Sequence, residues 1–240
     1  MGAAITARDV CVSYRSVARG SVKKMLHGQQ GGDAIQALKG VSFEVGEGEI
    51  QGVVGSNGGG KSTLLRTVAG IFVPDSGSID LHGHSCSLLA IGVGFIPNLT
   101  GRENIMLSGL LLGFTRDEVA AREEEIVAYS ELGKFIDYPV RTYSSGMYSK
   151  LAFSITAMLT TDILLVDEVL SVGDEHFKEK SFATMERLMR DEGRTVVIVS
   201  HALSQLRELC TSALWLERGR VMATGDVDEV IDAYVAGGKC

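Results

Sequence analysis

The chain has 240 residues, 45% hydrophobic and 22% charged, which is long and apolar enough for one large α/β domain or two small ones. Its 30 acidic and 23 basic residues give a formal net charge of −7, which argues against a chain built to coat nucleic acid. The four cysteines are scattered and no apolar stretch approaches the ~18 residues that span a bilayer, so we expect a soluble chain in a reducing compartment.

The first part of the chain predicts three strands around an insertion. Residues 5–14 alternate with β-branched side chains and predict an edge strand, whereas the polar, glycine-rich residues 15–33 predict a loop. Residues 37–45 and 49–54 predict two strands joined by a glycine turn. A glycine-rich loop and a helical pattern over 61–69 follow. Strand, glycine loop and helix in this order open a nucleotide-binding α/β domain.

The middle of the chain, at about residues 88–160, reads as helical. Thr115 and Glu118 form a capping-box pattern that opens an acidic helix ending near residue 131. A further helix has an apolar stripe at helical spacing, which predicts one buried face. Its members are Met147, Leu151, Ile155, Met158 and Leu159.

Strands and helices alternate in the last third. The continuous apolar runs 163–166 and 195–199 are typical of parallel strands covered on both faces. Helices are predicted at about 175–190 and from His201. The chain then predicts a hairpin with Gly219 near its turn, and a capped helix that starts at Asp226.

Residues 55–63 read GSNGGGKST and match the phosphate-loop pattern G-x-x-x-x-G-K-[ST]. Glycines let successive backbone N–H groups converge on one anion, and the helix that follows adds the positive end of its dipole. Lys61 is predicted to neutralise the β- and γ-phosphates, and Ser62 to ligate Mg²⁺. The predicted nucleotide-binding residues of the loop are Gly55, Ser56, Asn57, Gly58, Gly59, Gly60, Lys61, Ser62 and Thr63.

Two further elements favour an ATPase. The apolar strand 163–166 ends in Asp167 and Glu168, which predicts Asp167 as a magnesium ligand and Glu168 as the general base that orients water. Two solvated acids at a strand end are the simpler alternative. His201 follows the next apolar strand and is a candidate γ-phosphate contact, although a lone histidine there is also compatible with a structural role.

With these elements in this order, the chain resembles the nucleotide-binding subunit of ABC transporters over essentially its whole length. The resemblance implies a dimer signature at residues 143–147 (YSSGM), in which Ser144, Ser145 and Gly146 act on the partner's nucleotide. YSSGM departs from the common L-S-G-G-Q at three of five places. Asp174 matches the family's dimer-loop aspartate. Tyr14 matches its adenine-stacking aromatic residue, or is an ordinary strand aromatic.

One departure and several strings point to a branch of that family. Residues 88–104 contain no Gln where the family has one that contacts Mg²⁺ and the membrane subunit, and Asn98 is only a guess for its replacement. LTGREN, YSSGM and SVGDEHF resemble the ATPases of polysaccharide exporters for O-antigen, teichoic acid and cell-wall galactan. The insertion after Tyr14 fits the same branch.

We therefore predict an α/β P-loop NTPase of the ABC ATPase fold: a RecA-like core with a flanking antiparallel sheet and an inserted helical lobe. The expected domain covers residues 1–240, with no added C-terminal carbohydrate-binding domain. It is expected to bind ATP and Mg²⁺, to form a homodimer and to hydrolyse ATP. Hydrolysis is expected to drive export of a lipid-linked glycan through a separate transmembrane permease, at the cytoplasmic face of the inner membrane.

Three alternatives share the same motifs. A lipid or drug exporter would use the same ATPase. A soluble ABC ATPase acting on DNA or ribosomes usually has coiled-coil insertions, basic arms or two cassettes, which this acidic sequence lacks. A non-catalytic regulatory ATP-binding module is disfavoured by Glu168 and His201.

Overall fold

The computed structural model describes residues 2–15, 34–89, 94–159, 161–167, 173–190 and 193–237. Within them the strands are β1 (Ala3–Arg15), β2 (Ala34–Gly46), β3 (Ile50–Val54), β4 (Ser76–Asp80), β5 (Cys86–Leu89), β6 (Ile163–Asp167), β7 (Thr195–Val199), β8 (Ser212–Glu217) and β9 (Arg220–Asp226). The α-helices are α1 (Lys61–Val68), α2 (Gly101–Leu111), α3 (Arg116–Ser130), α4 (Ser145–Met158), α5 (Glu175–Arg190), α6 (Leu203–Leu209) and α7 (Val227–Gly237). No helix of these described segments has the length and apolar character needed to cross a bilayer.

The chain divides into two compact units. The first comprises residues 1–46, 51–83 and 199–240, and the second comprises residues 47–50 and 84–198. The predicted loop at 15–33 falls almost wholly on residues 16–33, which lie outside the described residues.

The first unit contains an antiparallel sheet in the order β2-β1-β4. The prediction of β1 as an edge strand is therefore wrong, because β1 has a hydrogen-bonded neighbour on each side. Its alternating pattern reflects one buried face, with Ile5, Val10 and Val12 at most 4% exposed. The alternation of apolar and polar residues shows which face of a strand is buried, but it does not indicate how many neighbouring strands it has.

The same unit contains β3, which pairs in parallel with β8, and β8 continues into the antiparallel hairpin with β9. The predicted hairpin is confirmed, and Gly219 lies in its turn with φ +79°. The register places Val54, the last residue of β3, opposite Trp215. The chain that leaves β3 therefore lies beside the carboxyl end of β8.

The second unit contains β5, β6 and β7, with β5 and β6 parallel, together with helices α2 to α5. The predicted apolar strands are confirmed at β6 and β7, whose residues 163–166 and 195–199 are all buried. Residues 88 and 89 end strand β5, so the helical region starts later than predicted. That these helices form a separate lobe stays a prediction.

Helix boundaries follow local capping chemistry. Thr115 and Glu118 form the predicted capping box at the start of α3, and Asp226 caps α7 through the backbone N–H of Asp228 at 2.9 Å. The predicted stripe of α4 is buried except at its first member, Met147, which is half-buried in the first turn. Helix α6 begins at Leu203, two residues later than predicted.

Candidate nucleotide-binding site

The phosphate loop, residues 55–60, connects β3 to α1 and depends on its glycines. Gly55, Gly58 and Gly60 have φ of +151°, +77° and +110°, a region that side chains with a Cβ rarely adopt. A Cβ on Gly55 would lie 1.9 Å from the carbonyl oxygen of Leu216. The loop therefore packs backbone against backbone on the end of β8, and at Gly55 any side chain would force this contact apart.

Helix α1 begins directly after the loop, at Lys61. Its N-cap residue is Gly60, which has no side chain to cap the first turn, so no hydroxyl or carboxylate of the cap competes for the backbone N–H groups there. Ser62 is exposed in that first turn. An uncapped helix N-terminus after a glycine loop is a favourable site for a phosphate.

The Lys61 side chain is 7% exposed and folds back over the loop. Its ammonium group donates to the carbonyl oxygens of Gly55 at 2.7 Å and Ser56 at 2.9 Å. These bonds hold the positive charge at the mouth of the loop. The position suits the predicted role as a counter-charge for phosphate.

The hairpin of β8 and β9 is hydrogen-bonded to the phosphate loop and stabilises it. The carboxylate of Glu217 accepts hydrogen bonds from the hydroxyl of Ser56 and from its backbone N–H at 3.2 Å. The hydroxyl bond is the main reason that the pKa of Glu217 lies below its usual range. In addition, the Gly219 N–H donates to the carbonyl of Gly59 at 2.8 Å. Glu217 could not be identified from the sequence, because an acidic residue before a turn carries no signal of a partner 161 positions away.

Tyr14 lies beside the first turn of α1. Its hydroxyl is 2.8 Å from that of Thr63, and Phe72 packs edge-on at a centroid distance of 5.7 Å. The residue is 38% exposed, so part of its ring remains accessible. These contacts bring together Tyr14 and Thr63, which the sequence analysis assigned to the same nucleotide.

The remaining predicted catalytic residues belong to other segments. Asp167 is the last residue of β6 in the second unit and is partly buried. Glu168 lies outside the described residues. His201 follows β7, lies in the first unit and is exposed. The roles of these three residues stay predictions.

The predicted signature forms the start of α4. The Ser144 hydroxyl caps the helix by accepting the N–H of Met147 at 3.2 Å, and Ser145 is exposed in the first turn. A Cβ on Gly146 would meet only the hydroxyl oxygen of Ser144, at 3.9 Å, among the described residues. Gly146 also lies outside the positive-φ region. Local structure thus gives no reason for this helix-weakening glycine, which costs about 1 kcal/mol relative to alanine.

Asp174 lies just before α5, and its carboxylate accepts a hydrogen bond at 3.0 Å from the backbone N–H of Phe177 in that helix. Its carboxylate also pairs at 2.7 Å with Lys150 of α4. The bond to Lys150 is the main cause of the lowered pKa of Asp174, and the same contact raises the pKa of Lys150. The predicted dimer-loop aspartate is therefore tied to the helix that carries the predicted signature.

The segment LTGREN, residues 99–104, has a structural explanation within the second unit. Thr100 and Glu103 form a capping box at the start of α2, a pattern that is visible in the sequence itself. Gly101 leaves room for Tyr143, whose hydroxyl would lie 2.5 Å from a Cβ there. The buried Asn104 amide bonds the carbonyl oxygens of Ile96, Leu99 and Thr100.

Together, the glycine loop, the uncapped helix and the parallel strand before them define a phosphate-binding loop of the P-loop nucleotide-binding fold. The family model described as ABC transporter matches residues 38–171, more than half of the chain. The chain belongs to the ABC transporter family.

Solved structures support the same fold. The dimeric, post-hydrolysis ATP-binding cassette MJ0796 with ADP and Pi superimposes with a TM-score of 0.72 at 22% identity, covering 93% of this chain and 98% of that one. A second, an ATP-binding subunit of an ABC transporter, gives a TM-score of 0.73 at 21% identity, covering 96% and 93%. The predicted fold class is confirmed.

Several similar proteins are named as ATP-binding proteins of export systems. The O-antigen export system ATP-binding protein RfbB of Myxococcus xanthus is 44% identical over 96% of this chain, which spans 55% of that protein. The teichoic acids export ATP-binding protein TagH of Bacillus anthracis is 44% identical over 89% of this chain, which spans 38% of TagH. RfbB of Klebsiella pneumoniae is 46% identical over 82% of this chain and 80% of its own length.

Proposed function

We propose that this chain is the ATP-hydrolysing subunit of an ABC transporter that exports a lipid-linked polysaccharide through a separate permease. The observation that carries the proposal is the 44–46% identity to proteins named for O-antigen and teichoic acid export. The phosphate loop described above supplies the chemistry that such a subunit needs. We place the subunit at the cytoplasmic face of the inner membrane, bound to its permease.

The ATP hydrolysis site acts by positioning the γ-phosphate and neutralising its charge. The loop N–H groups and Lys61 hold the phosphates, while Glu168 orients water and His201 contacts the γ-phosphate. Ser62 and Asp167 offer the hard oxygen ligands that Mg²⁺ prefers. A magnesium ion held by these residues would supply charge neutralisation for the phosphates.

The active form is a homodimer in which each signature meets the partner's nucleotide. Gly146 supports this arrangement, because a glycine with no local requirement leaves the helix backbone open to close approach from outside the protomer. Ser145 is exposed on the same turn and supplies a hydroxyl and a backbone donor. Asp174, the predicted dimer-loop aspartate, is held by Lys150.

Replacing Glu168 with glutamine should lower the turnover of ATP by about 100-fold, because the amide does not accept the proton of the attacking water. ATP binding should persist, since the phosphates are held by the loop and Lys61. Turnover is measured by phosphate release and binding by calorimetry. Undiminished turnover in this variant would remove Glu168 from its role.

Replacing Tyr14 with alanine should weaken ATP binding by about 10-fold, because one base–aromatic stack is lost. Tyr14→Phe removes the hydroxyl bond to Thr63 but keeps the ring, so it serves as the matched control and should bind ATP nearly as the wild type does. Tripolyphosphate, which has no base, should bind all three proteins alike. An equal loss for ATP and tripolyphosphate in Tyr14→Ala would contradict stacking.

The cargo is tested in the native cell. Depleting the chain should trap undecorated, lipid-linked glycan on the cytoplasmic side, and wild-type protein should restore export whereas Glu168→Gln should not. Normal surface glycan with failed export of a lipid or drug would refute the cargo while leaving the ATPase proposal intact.

A further inference from the structure

A cavity lies against the phosphate loop within the first unit. It measures about 870 Å³ and is bounded by the hairpin of β8 and β9 and by the end of α7. Residues 56–58 of the loop form part of its wall, but Tyr14, Lys61, Ser62 and Thr63 do not line it. This hairpin cavity therefore shares residues 56–58 with the predicted nucleotide-binding loop, but it extends away from Tyr14 and the first turn of α1 toward the hairpin and the end of α7.

Positive charge dominates the hairpin cavity. Lys39, Arg218 and Arg220 line it, and among the described residues no carboxylate lies within ion-pair distance of Lys39 or Arg220. Glu217 is the one acidic residue among its lining residues, and both its carboxylate oxygens already accept hydrogen bonds from Ser56. Arg218 interacts electrostatically with Glu217, which leaves Lys39 and Arg220 as the cations available to an anion, and arginine is well suited to phosphate.

Aromatic residues also line the cavity. The Trp215 and Tyr234 rings meet edge-on at 5.7 Å, and Met222 beside them is 55% exposed. Gly237 allows the indole to lie against the end of α7, since a Cβ there would come within 2.6 Å of the ring. Such a wall accepts the face of a sugar or base, and the volume is that of a small-molecule site.

Arg218 occupies its position at a cost. It forms the hairpin turn with Gly219, and both residues have positive φ, +49° and +79°. Asn or Asp followed by Gly is the preferred pair for such a two-residue turn, and arginine in the left-handed region is disfavoured. Arg218 therefore occupies a turn position that asparagine would suit better, and it also lines the cationic cavity.

We propose that the hairpin cavity binds a phosphorylated small molecule that carries a ring, with its phosphate on Lys39 and Arg220, next to Arg218, and its ring against Trp215. A sugar phosphate and a nucleotide share this chemistry. The inference does not depend on the cargo proposed above.

Trp215, the single tryptophan of the chain, reports binding directly through its fluorescence. The full chain is titrated with glucose 1-phosphate and with UMP while a non-hydrolysable ATP analogue and Mg²⁺ saturate the phosphate loop, and calorimetry repeats each titration. We expect saturable binding of at least one of the two probes. The ratio of their dissociation constants then distinguishes a sugar phosphate from a nucleotide as the preferred ligand. Methyl glucoside and inorganic phosphate should each bind at least about 10-fold more weakly, because each lacks half of the recognised chemistry.

Arg218→Asn separates binding from folding. This substitution should weaken binding of the phosphorylated probe about 10-fold or more. It should nevertheless raise the Tm by about 2 °C, because asparagine suits the turn. Arg220→Gln should also weaken binding, while Lys134→Gln, an exposed change outside the cavity, should not. The proposal is overturned if neither probe binds, if the ATP analogue displaces the probe, if inorganic phosphate binds as well, or if Arg218→Asn binds as the wild type does.

Discussion

Replacing Lys61 with alanine is expected to weaken ATP binding by about 1,000-fold. The ammonium group is held on the phosphate loop by the carbonyl oxygens of Gly55 and Ser56. When ATP binds, we expect it to donate to charged phosphate oxygens instead. Losing two charge-assisted hydrogen bonds, each worth about 1.5–3 kcal/mol, accounts for a loss of this size.

Calorimetry with ATP and Mg²⁺ measures the effect, and Lys134→Ala, an exposed lysine outside the loop, is the matched control. Far-ultraviolet circular dichroism checks that both variants fold. A dissociation constant for Lys61→Ala within threefold of the wild-type value would show that Lys61 is not the phosphate counter-charge.

Replacing Gly55 with alanine should lower the free energy of unfolding by at least about 3 kcal/mol, because the new methyl group meets the Leu216 carbonyl oxygen at 1.9 Å. That contact is backbone to backbone, so no side chain can rotate away. The loop and β8 must separate, and ATP binding should fall with them.

Gly58→Ala provides the comparison. Gly58 also has positive φ, but a Cβ there would have nothing within 4 Å among the described residues, so only the conformational cost of about 1 kcal/mol remains. Urea unfolding of the two variants measures the difference. Equal destabilisation would show that the conformation of the loop matters and its packing on β8 does not.

Features governed by short stretches of sequence were predictable. Helix α5 has the predicted bounds, the buried strands β6 and β7 were evident from their apolar runs, and the phosphate loop follows from glycine spacing. In each case the determining residues are neighbours in the chain. The fold class followed because these units occur in a recognisable order.

Features that depend on distant partners were not predictable. Glu217 acts on the phosphate loop only because β8 lies beside β3, and β1 is central only because β4 returns to it. LTGREN resembles a branch marker in the sequence, whereas the structure shows capping and packing roles for Thr100, Gly101 and Asn104. Such pairings are set by tertiary contacts, which a single sequence does not display.

Two backbone hydrogen bonds at the hairpin turn connect three segments of the first unit, which affects how these segments open locally to solvent. The Lys39 N–H donates to the Gly219 carbonyl at 2.8 Å, and the Gly219 N–H donates to the Gly59 carbonyl at 2.8 Å. Because these two bonds connect strand β2, the turn and the phosphate loop, we expect the three to open together. The amide protons of Lys39 and Gly219 should exchange with solvent deuterium at matched rates, and ligation of the loop should slow both together.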